Sequence, residues 1–349
     1  MINFIRLRIQ GSIAMGITTK DLAQICGVSR TTVHRALHDG AGRIHPDTRE
    51  MILRVAKEND YRPDLLARGL VKGQTFNIGV VVLDVKSRYF AELLSIIGAE
   101  AGRQGYFVNI TLHDNDKETE KSQLTRLADY HVDGIIVSSV NEGDEYKNFL
   151  RGLDIPIVSV DNKIADGIPF VGIDQRRAMT DATAKVIEKK YEKLIFVCPP
   201  MEDTGKRNIY VHRERLKGFK ETVEKYSGIE ISYLLDWNYR EHVESVLGES
   251  RKTAFVCSAD EFALEVMKRM KKSGKRAGRD YGIIGFDNID ILDYVTPRLT
   301  TISNSVAEVA ETAVALLFEL IMRKQEGKNW EEPAPCKILP YRMVEGETI

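Results

Sequence analysis

Arg30, Thr31, His34 and Arg35 carry the most compact chemistry in the chain. Each donates hydrogen bonds or charge. At helical spacing they share one face, opposite apolar Val33, Ala36 and Leu37. A short helix presenting that face suits the major groove of duplex DNA. There Arg is the commonest partner of guanine, Thr can meet a thymine methyl, and a further Arg can hold phosphate. The other candidates stand far apart, each just past an apolar run or beside one: Tyr89 and Phe90, Ser138, Asp161, Asp174, Trp237, Asp260 and Asp287. Carboxylates with aromatic plates suit a small polar ligand whose hydroxyls are gripped and whose C–H face is covered.

The elements that must position the first set lie in ITTKDLAQICGVSRTTVHRALHD, residues 17–39. Thr18 followed by Asp21 has the pattern of an N-cap with an acidic first turn, and Leu22, Ala23 and Cys26 give one apolar face. Gly27 permits the backbone turn that stops the helix, and Ser29 can cap the next one. Two short helices joined by a glycine turn have the layout of a helix-turn-helix. Gly40 and Gly42 mark a loop. Pro46, Ile52, Val55 and Ala56 then predict a third helix to about residue 59, closing a small core. Tyr61-Arg62-Pro63 breaks that pattern. The following DLLARGL (64–70) is a marginal helix: Asp64 can cap it and pair with Arg68, while Gly69 weakens it.

From residue 77 onward, apolar runs alternate with amphipathic helical patterns. Strands are expected at 78–85, 106–112, 134–139, 155–160, 194–198, 231–235, 253–257 and 281–286. Helices are expected near 89–103, 117–130, 144–152, 175–190, 212–227, 239–248, 260–273 and 305–322. Continuous apolar strands between helices argue for parallel sheets covered on both faces, and two such sets make two doubly wound lobes. Such sheets bind ligands beyond the carboxyl ends of their strands, which places the second set in a cleft between the lobes.

The net charge of −1 conceals an asymmetry: residues 1–76 carry 12 basic and 7 acidic side chains, a net +5, against −6 for the rest. Positive charge therefore sits on the piece expected to meet phosphates. Cys26, Cys198, Cys257 and Cys336 form no CxxC pair, which argues against a metal or disulfide framework and for a reducing cytoplasm. No apolar run is long enough to span a membrane. No GxGxxG, P-loop, HExxH or GxSxG motif suggests an enzyme, and no cofactor or metal is expected. Arg6, Arg8 and Gln10 break the apolar stretch at the start, so residues 1–14 do not read as a signal peptide. Met15 is the expected natural start.

The run T-x-x-D-L-A-x-x-x-G-V-S-x-x-T-V-x-R-A-L from Thr18 to Leu37, with TRE at 48–50 and YRPDLLARGL at 61–70, resembles the lactose-repressor (LacI/GalR) family of bacterial transcription regulators. The resemblance implies a DNA-facing set of Thr18, Ser29, Arg30, Thr31, Thr32, His34 and Arg35. It also implies a hinge helix in which Ala67 and Leu70 meet the minor groove, an apolar wedge that suits a bent site. Further on, RYFAEL (88–93), RLKGF (215–219), DWN (236–238), IIGFDN (283–288) and LTTISN (299–304) resemble effector-binding segments of the family. They imply an effector set of Tyr89, Phe90, Asp174, Arg215, Trp237, Asp287 and Asn304. Where relatives commonly carry an asparagine that touches sugar, this chain has Ala259, which removes one polar contact.

The expected architecture is an all-α headpiece followed by a two-lobed α/β effector domain like the periplasmic binding proteins. Its divisions are an extension (1–16), a helix-turn-helix headpiece (17–62), a hinge helix and linker (63–76) and an effector domain (77–349). Lobe one is expected at about 77–190 and 304–335, lobe two at about 191–303 and 336–349. The expected function is repression of carbohydrate-utilisation genes, with a homodimer released from palindromic double-stranded operator DNA by a small sugar-like effector. Dimerisation through lobe faces is implied by the resemblance, since a two-fold reader must engage two half-sites, and a dimer rather than a tetramer is expected because the heptad tail of the lactose repressor is not found after Tyr341. The alternatives are a corepressed regulator of a non-sugar effector such as a nucleobase, or a binding protein or enzyme on the two-lobed fold.

Overall fold

The computed structural model describes residues 17–37, 44–61, 73–246 and 251–349. The expected extension 1–16, and Ala67 and Leu70 of the expected hinge, lie outside these. The chain forms two compact units, one within residues 1–75 and one within 76–349.

In the first unit, helices Thr19–Cys26, Arg30–Leu37 and Pro46–Glu58 pack around Leu22, Ala23, Val33, Ala36, Ile52 and Ala56. Thr18 and Asp21 form a reciprocal capping box on the first helix. Gly27 ends that helix at φ +64°, a conformation glycine reaches without penalty, and the Val28 N–H then returns to the Ala23 carbonyl at 3.0 Å. The third helix starts at Pro46 with no side-chain bond from His45. Thr19 and Tyr61 hydroxyls share a 2.9 Å bond that ties the residues after the third helix to the first.

The second unit holds two sheets. The first contains β1 (Asn77–Val82), β2 (Phe107–Leu112), β3 (Gly134–Val137), β4 (Ile157–Val160) and β5 (Phe170–Ile173). The second contains β6 (Lys193–Val197), β7 (Glu230–Leu234), β8 (Thr253–Cys257), β9 (Gly282–Asp287) and β10 (Thr300–Ser303). Two late strands, β11 (Cys336–Leu339) and β12 (Arg342–Val344), join one sheet each. The orders are β11-β5-β4-β3-β1-β2 and β12-β10-β9-β8-β6-β7. Pairings are parallel except β10 with β12. Helices cover both faces, and the central strands are buried throughout, as their unbroken apolar runs require.

Three expectations need correction. The lobe boundary falls after β5 rather than near 190, because helix Gln175–Glu188 buries Ala178, Met179 and Ala182 in the second lobe's core. The last crossing also comes later than residue 335: β11 pairs with β5 in lobe one, and only β12 returns to lobe two. Of the helix expected over 239–248, the described residues form one over Tyr239–His242 and continue as turn to Val246. Tyr239 and Val243 are fully buried, and Val246 packs against the same core from the turn that follows. Three connections thus pass between lobes, near Asp174, Asn304 and Pro340, and the Ser305 hydroxyl donates to the Pro340 carbonyl at 2.8 Å where two of them meet.

Candidate functional site

On the headpiece, Ser29, Arg30, Thr31, His34 and Arg35 are exposed, while Val33 and Ala36 turn inward. The backbone N–H of Thr32 donates to Ser29 Oγ at 3.0 Å, and the two hydroxyls share a 2.8 Å bond, so Ser29 caps the helix that carries the basic face. Thr18 is exposed, but its hydroxyl is spent on its own helix, donating to Asp21 Oδ2 at 2.7 Å. That bond holds the Asp21 carboxyl below its ordinary range. The result is a rigidly capped helix with cations and hydroxyls facing water.

The second site is a cavity of about 360 Å³ between the lobes, at the carboxyl ends of both sheets. Arg215 is its centre. Gly218 lets helices Gln175–Glu188 and Tyr210–Val223 touch: a Cβ there would sit 2.2 Å from the Arg176 carbonyl oxygen. Phe219 is fully buried and packs on Phe196 at 4.7 Å. This packing turns Arg215, on the same helix, into the cleft with only 2% exposure. Its Nε donates to Gln175 Oε1 at 2.8 Å, Nη1 to the Ser258 carbonyl at 2.5 Å, and Nη2 to Asp287 Oδ1 at 3.2 Å. The guanidinium also lies 3.6 Å from the Phe286 ring centroid. No rotamer freedom is left to lose on binding.

Asp287 ends β9 at φ +115°, outside the region side chains favour. Such strain persists where surrounding structure over-determines it. Here β9 pairs with β10 so that Asp287 faces Ser303, and the next residue, Asn304, donates to Asp287 Oδ1 at 3.2 Å. Burial pushes the Asp287 carboxyl up to about 7, against the pull of Arg215 and with added push from Asp161. Asp161 is raised as well, chiefly by burial, and accepts from Ser138 Oγ at 3.3 Å. Tyr89 and Phe90 form the opposite wall with rings 5.2 Å apart. Burial and the two carboxylates keep the Tyr89 phenol protonated. Trp237 lines the cavity at 42% exposure, its indole N–H donating to Asp203 Oδ2 at 3.3 Å.

Of the expected effector residues, Tyr89, Phe90, Arg215, Trp237 and Asp287 therefore come together. Asp174 does not. It is exposed and caps the helix after β5, accepting from the Arg177 N–H at 2.9 Å. Asn304 sits behind Asp287 and does not line the cavity. Asp260 is likewise occupied: it is fully buried and accepts from Thr301 Oγ1 at 2.6 Å and the Ile289 N–H at 3.0 Å. Ala259 does line the cavity and presents only a methyl there. Arg207, His212 and Phe262 were not anticipated; His212 stands three residues before Arg215 on one helix, a spacing that could have revealed it. Among the described residues no cluster could hold a metal ion, and no helix is long and apolar enough to cross a membrane.

Residues 18–64 match the family described as bacterial regulatory proteins, lacI family, and residues 183–349 match a periplasmic binding protein-like domain. Catabolite control protein A of Priestia megaterium is 30% identical over 319 residues, 89% of this chain and 94% of its own. A periplasmic binding protein/LacI transcriptional regulator from Alkaliphilus metalliredigens, solved with D-xylulofuranose, is 27% identical with a TM-score of 0.65, covering 78% of this chain and 98% of that one. The lac repressor dimer bound to operator shares the fold at 20% identity and a TM-score of 0.80, covering 96% and 99%. The two-unit architecture, the capped reading helix and the matches across both units agree: the chain belongs to the lacI family of bacterial transcriptional regulators.

Proposed function

We propose that this regulator is a repressor of carbohydrate-utilisation genes, released from a palindromic operator when a small sugar-like effector enters the interlobe cleft. The observation that carries the effector class is the Arg215–Asp287 pair facing Tyr89 and Phe90 across a cavity of about 360 Å³. That volume lies at the lower end of the ~300–1,000 Å³ typical of small-molecule sites. Fixed donors and acceptors suit vicinal hydroxyls, and the rings cover a sugar's C–H face. A sugar held by a similar protein at 27% identity supports the same class.

On the DNA side, Arg30 and Thr31 read base edges and Arg35 positions the helix. Two half-sites need two headpieces, so the working form is a homodimer, acting in the cytoplasm where its operator is. Effector and operator are thermodynamically coupled through the lobes. A thermal-shift screen of sugars, sugar acids, polyols and nucleobases, with each hit titrated against selected operator DNA at fixed salt, tests this. A sugar that stabilises the protein and weakens operator binding is expected; a nucleobase that tightens it would replace this reading with corepression.

A further inference from the structure

A second polar cluster in the cleft is used by neither Arg215 nor Asp287. Among the described residues, six buried side-chain polar atoms have no hydrogen-bond partner, and three of them, Arg207 Nε, His212 Nδ1 and the Tyr239 hydroxyl, belong to residues lining the cavity from the second lobe; Arg207 and His212 bring a fixed donor and an acceptor. Buried polar groups are ordinarily bonded, and an orphan loses the water it gave up without return. Their coincidence on one wall points to a ligand.

Both side chains are held in place. The His212 ring lies 6.4 Å from Phe262, which also meets Trp237 at 6.3 Å and Tyr239 at 6.0 Å. This collar of rings sets the imidazole plane. Arg207 Nη2 donates to Asp203 at 2.5 Å, and the same carboxylate accepts from the Trp237 indole. Asp203 therefore neutralises Arg207 but leaves its Nε–H, which can only donate. Burial, then Arg215 and Arg207, push the His212 imidazole down to about 3, so the ring is neutral and one of its nitrogens accepts.

We propose that Arg207 and His212 form a second subsite of the cleft that selects an uncharged hydroxyl of the effector. The hydroxyl oxygen accepts from Arg207 Nε–H, and its hydrogen goes to His212 Nδ1. The proposal rests on the cleft being the effector site. A carboxylate or phosphate would find Arg207 already paired and would leave Nδ1 without a proton to accept, unless the ring took one up beside two guanidinium groups. His212 is thus a specificity-determining residue that tells sugars from sugar acids.

Full-length His212→Asn, His212→Gln and His212→Phe test this. Asn keeps a polar atom at the Nδ1 position, Gln moves it to the Nε2 position, and Phe removes it while matching the surrounding rings. Tm is measured without ligand, and binding is followed by tryptophan fluorescence with D-ribose, D-xylulose, D-glucose, D-ribonate and D-gluconate. For whichever sugar binds wild type, Asn should stay within about threefold, Gln and Phe should weaken it about tenfold or more, and the acids should bind no tighter than their sugars. Without ligand, His212→Phe should raise Tm by about 2–4 °C, because an unmet polar group is gone. Unchanged sugar affinity in the Phe variant, or an acid preferred over its sugar, would overturn the subsite. If none of the probes binds wild type, it is the carbohydrate reading that fails. The Tm of His212→Phe then decides alone: a rise supports the subsite, and an unchanged or lower value refutes it.

Discussion

The headpiece face and the interlobe cleft solve opposite problems. The headpiece presents polar side chains that lie within a single two-helix stretch and face water; its chemistry is local, held by the caps Thr18 and Ser29 over a small apolar core. The cleft draws its groups from residues as distant as Tyr89 and Asp287, buries them, and fixes them by mutual bonds and a strained strand end. An exposed charge gains little until a partner arrives, whereas a buried one must be satisfied at all times. The two regions should therefore fail differently when altered.

The largest effect is expected in the cleft. Arg215→Ala leaves Asp287 and Asp161 without their shared cation and should cost about 3–5 kcal/mol in chemical denaturation, toward the lower end because Asp287 can take up a proton. Sugar binding should vanish with it. Leu22→Ala empties the headpiece core and should cost that unit about 2–5 kcal/mol, enough to unfold so small a core. Operator binding should be lost while fluorescence still reports sugar in the cleft. Simultaneous loss of both would show that the units do not behave separately. Arg30→Ala should leave both folds intact, since the side chain is exposed. It should weaken operator binding by about 1–3 kcal/mol and relax base preference at one position per half-site, read by competition with substituted operators.

The smallest effect concerns pH. Asp287 titrates near 7 in the folded protein against an ordinary 3.8, so between those values the folded state keeps a proton that the unfolded chain has released. Stability from this group is therefore present at low pH and lost as pH rises through the window, opposite to an ion-paired surface aspartate. Wild type should lose about 1 kcal/mol more than Asp287→Asn between roughly pH 6 and 7. Parallel profiles would mean that Arg215 holds the carboxylate ionised throughout.

The same contrast explains what could be read from the chain. Thr18, Asp21, Gly27 and Ser29 act on neighbours three or four residues away, so their roles follow from spacing. Arg215, Gly218 and Phe219 are legible together because one helix carries the ion pair, the close approach and the buried ring. Asp174 stands apart from the cavity because a residue past a strand end can equally cap the next helix, and its carboxyl serves the Arg177 N–H. The strand Thr300–Ser303 has no apolar run: Thr301 bonds Asp260, and Thr300 accepts from the Gly346 N–H, long-range partners no local pattern reveals. His212 is marked in the sequence only by its place three residues before Arg215; the unmet Nδ1 that distinguishes it exists only in the folded chain.

The most direct test of the account is operator affinity at fixed salt, with and without a saturating sugar already shown to bind the cleft, in wild type and in Arg215→Ala. Coupling of ordinary strength predicts about 5–150-fold weaker operator binding by wild type with sugar present, and no response from the variant. Identical operator affinity with the cleft filled and empty would contradict the coupling on which the account depends.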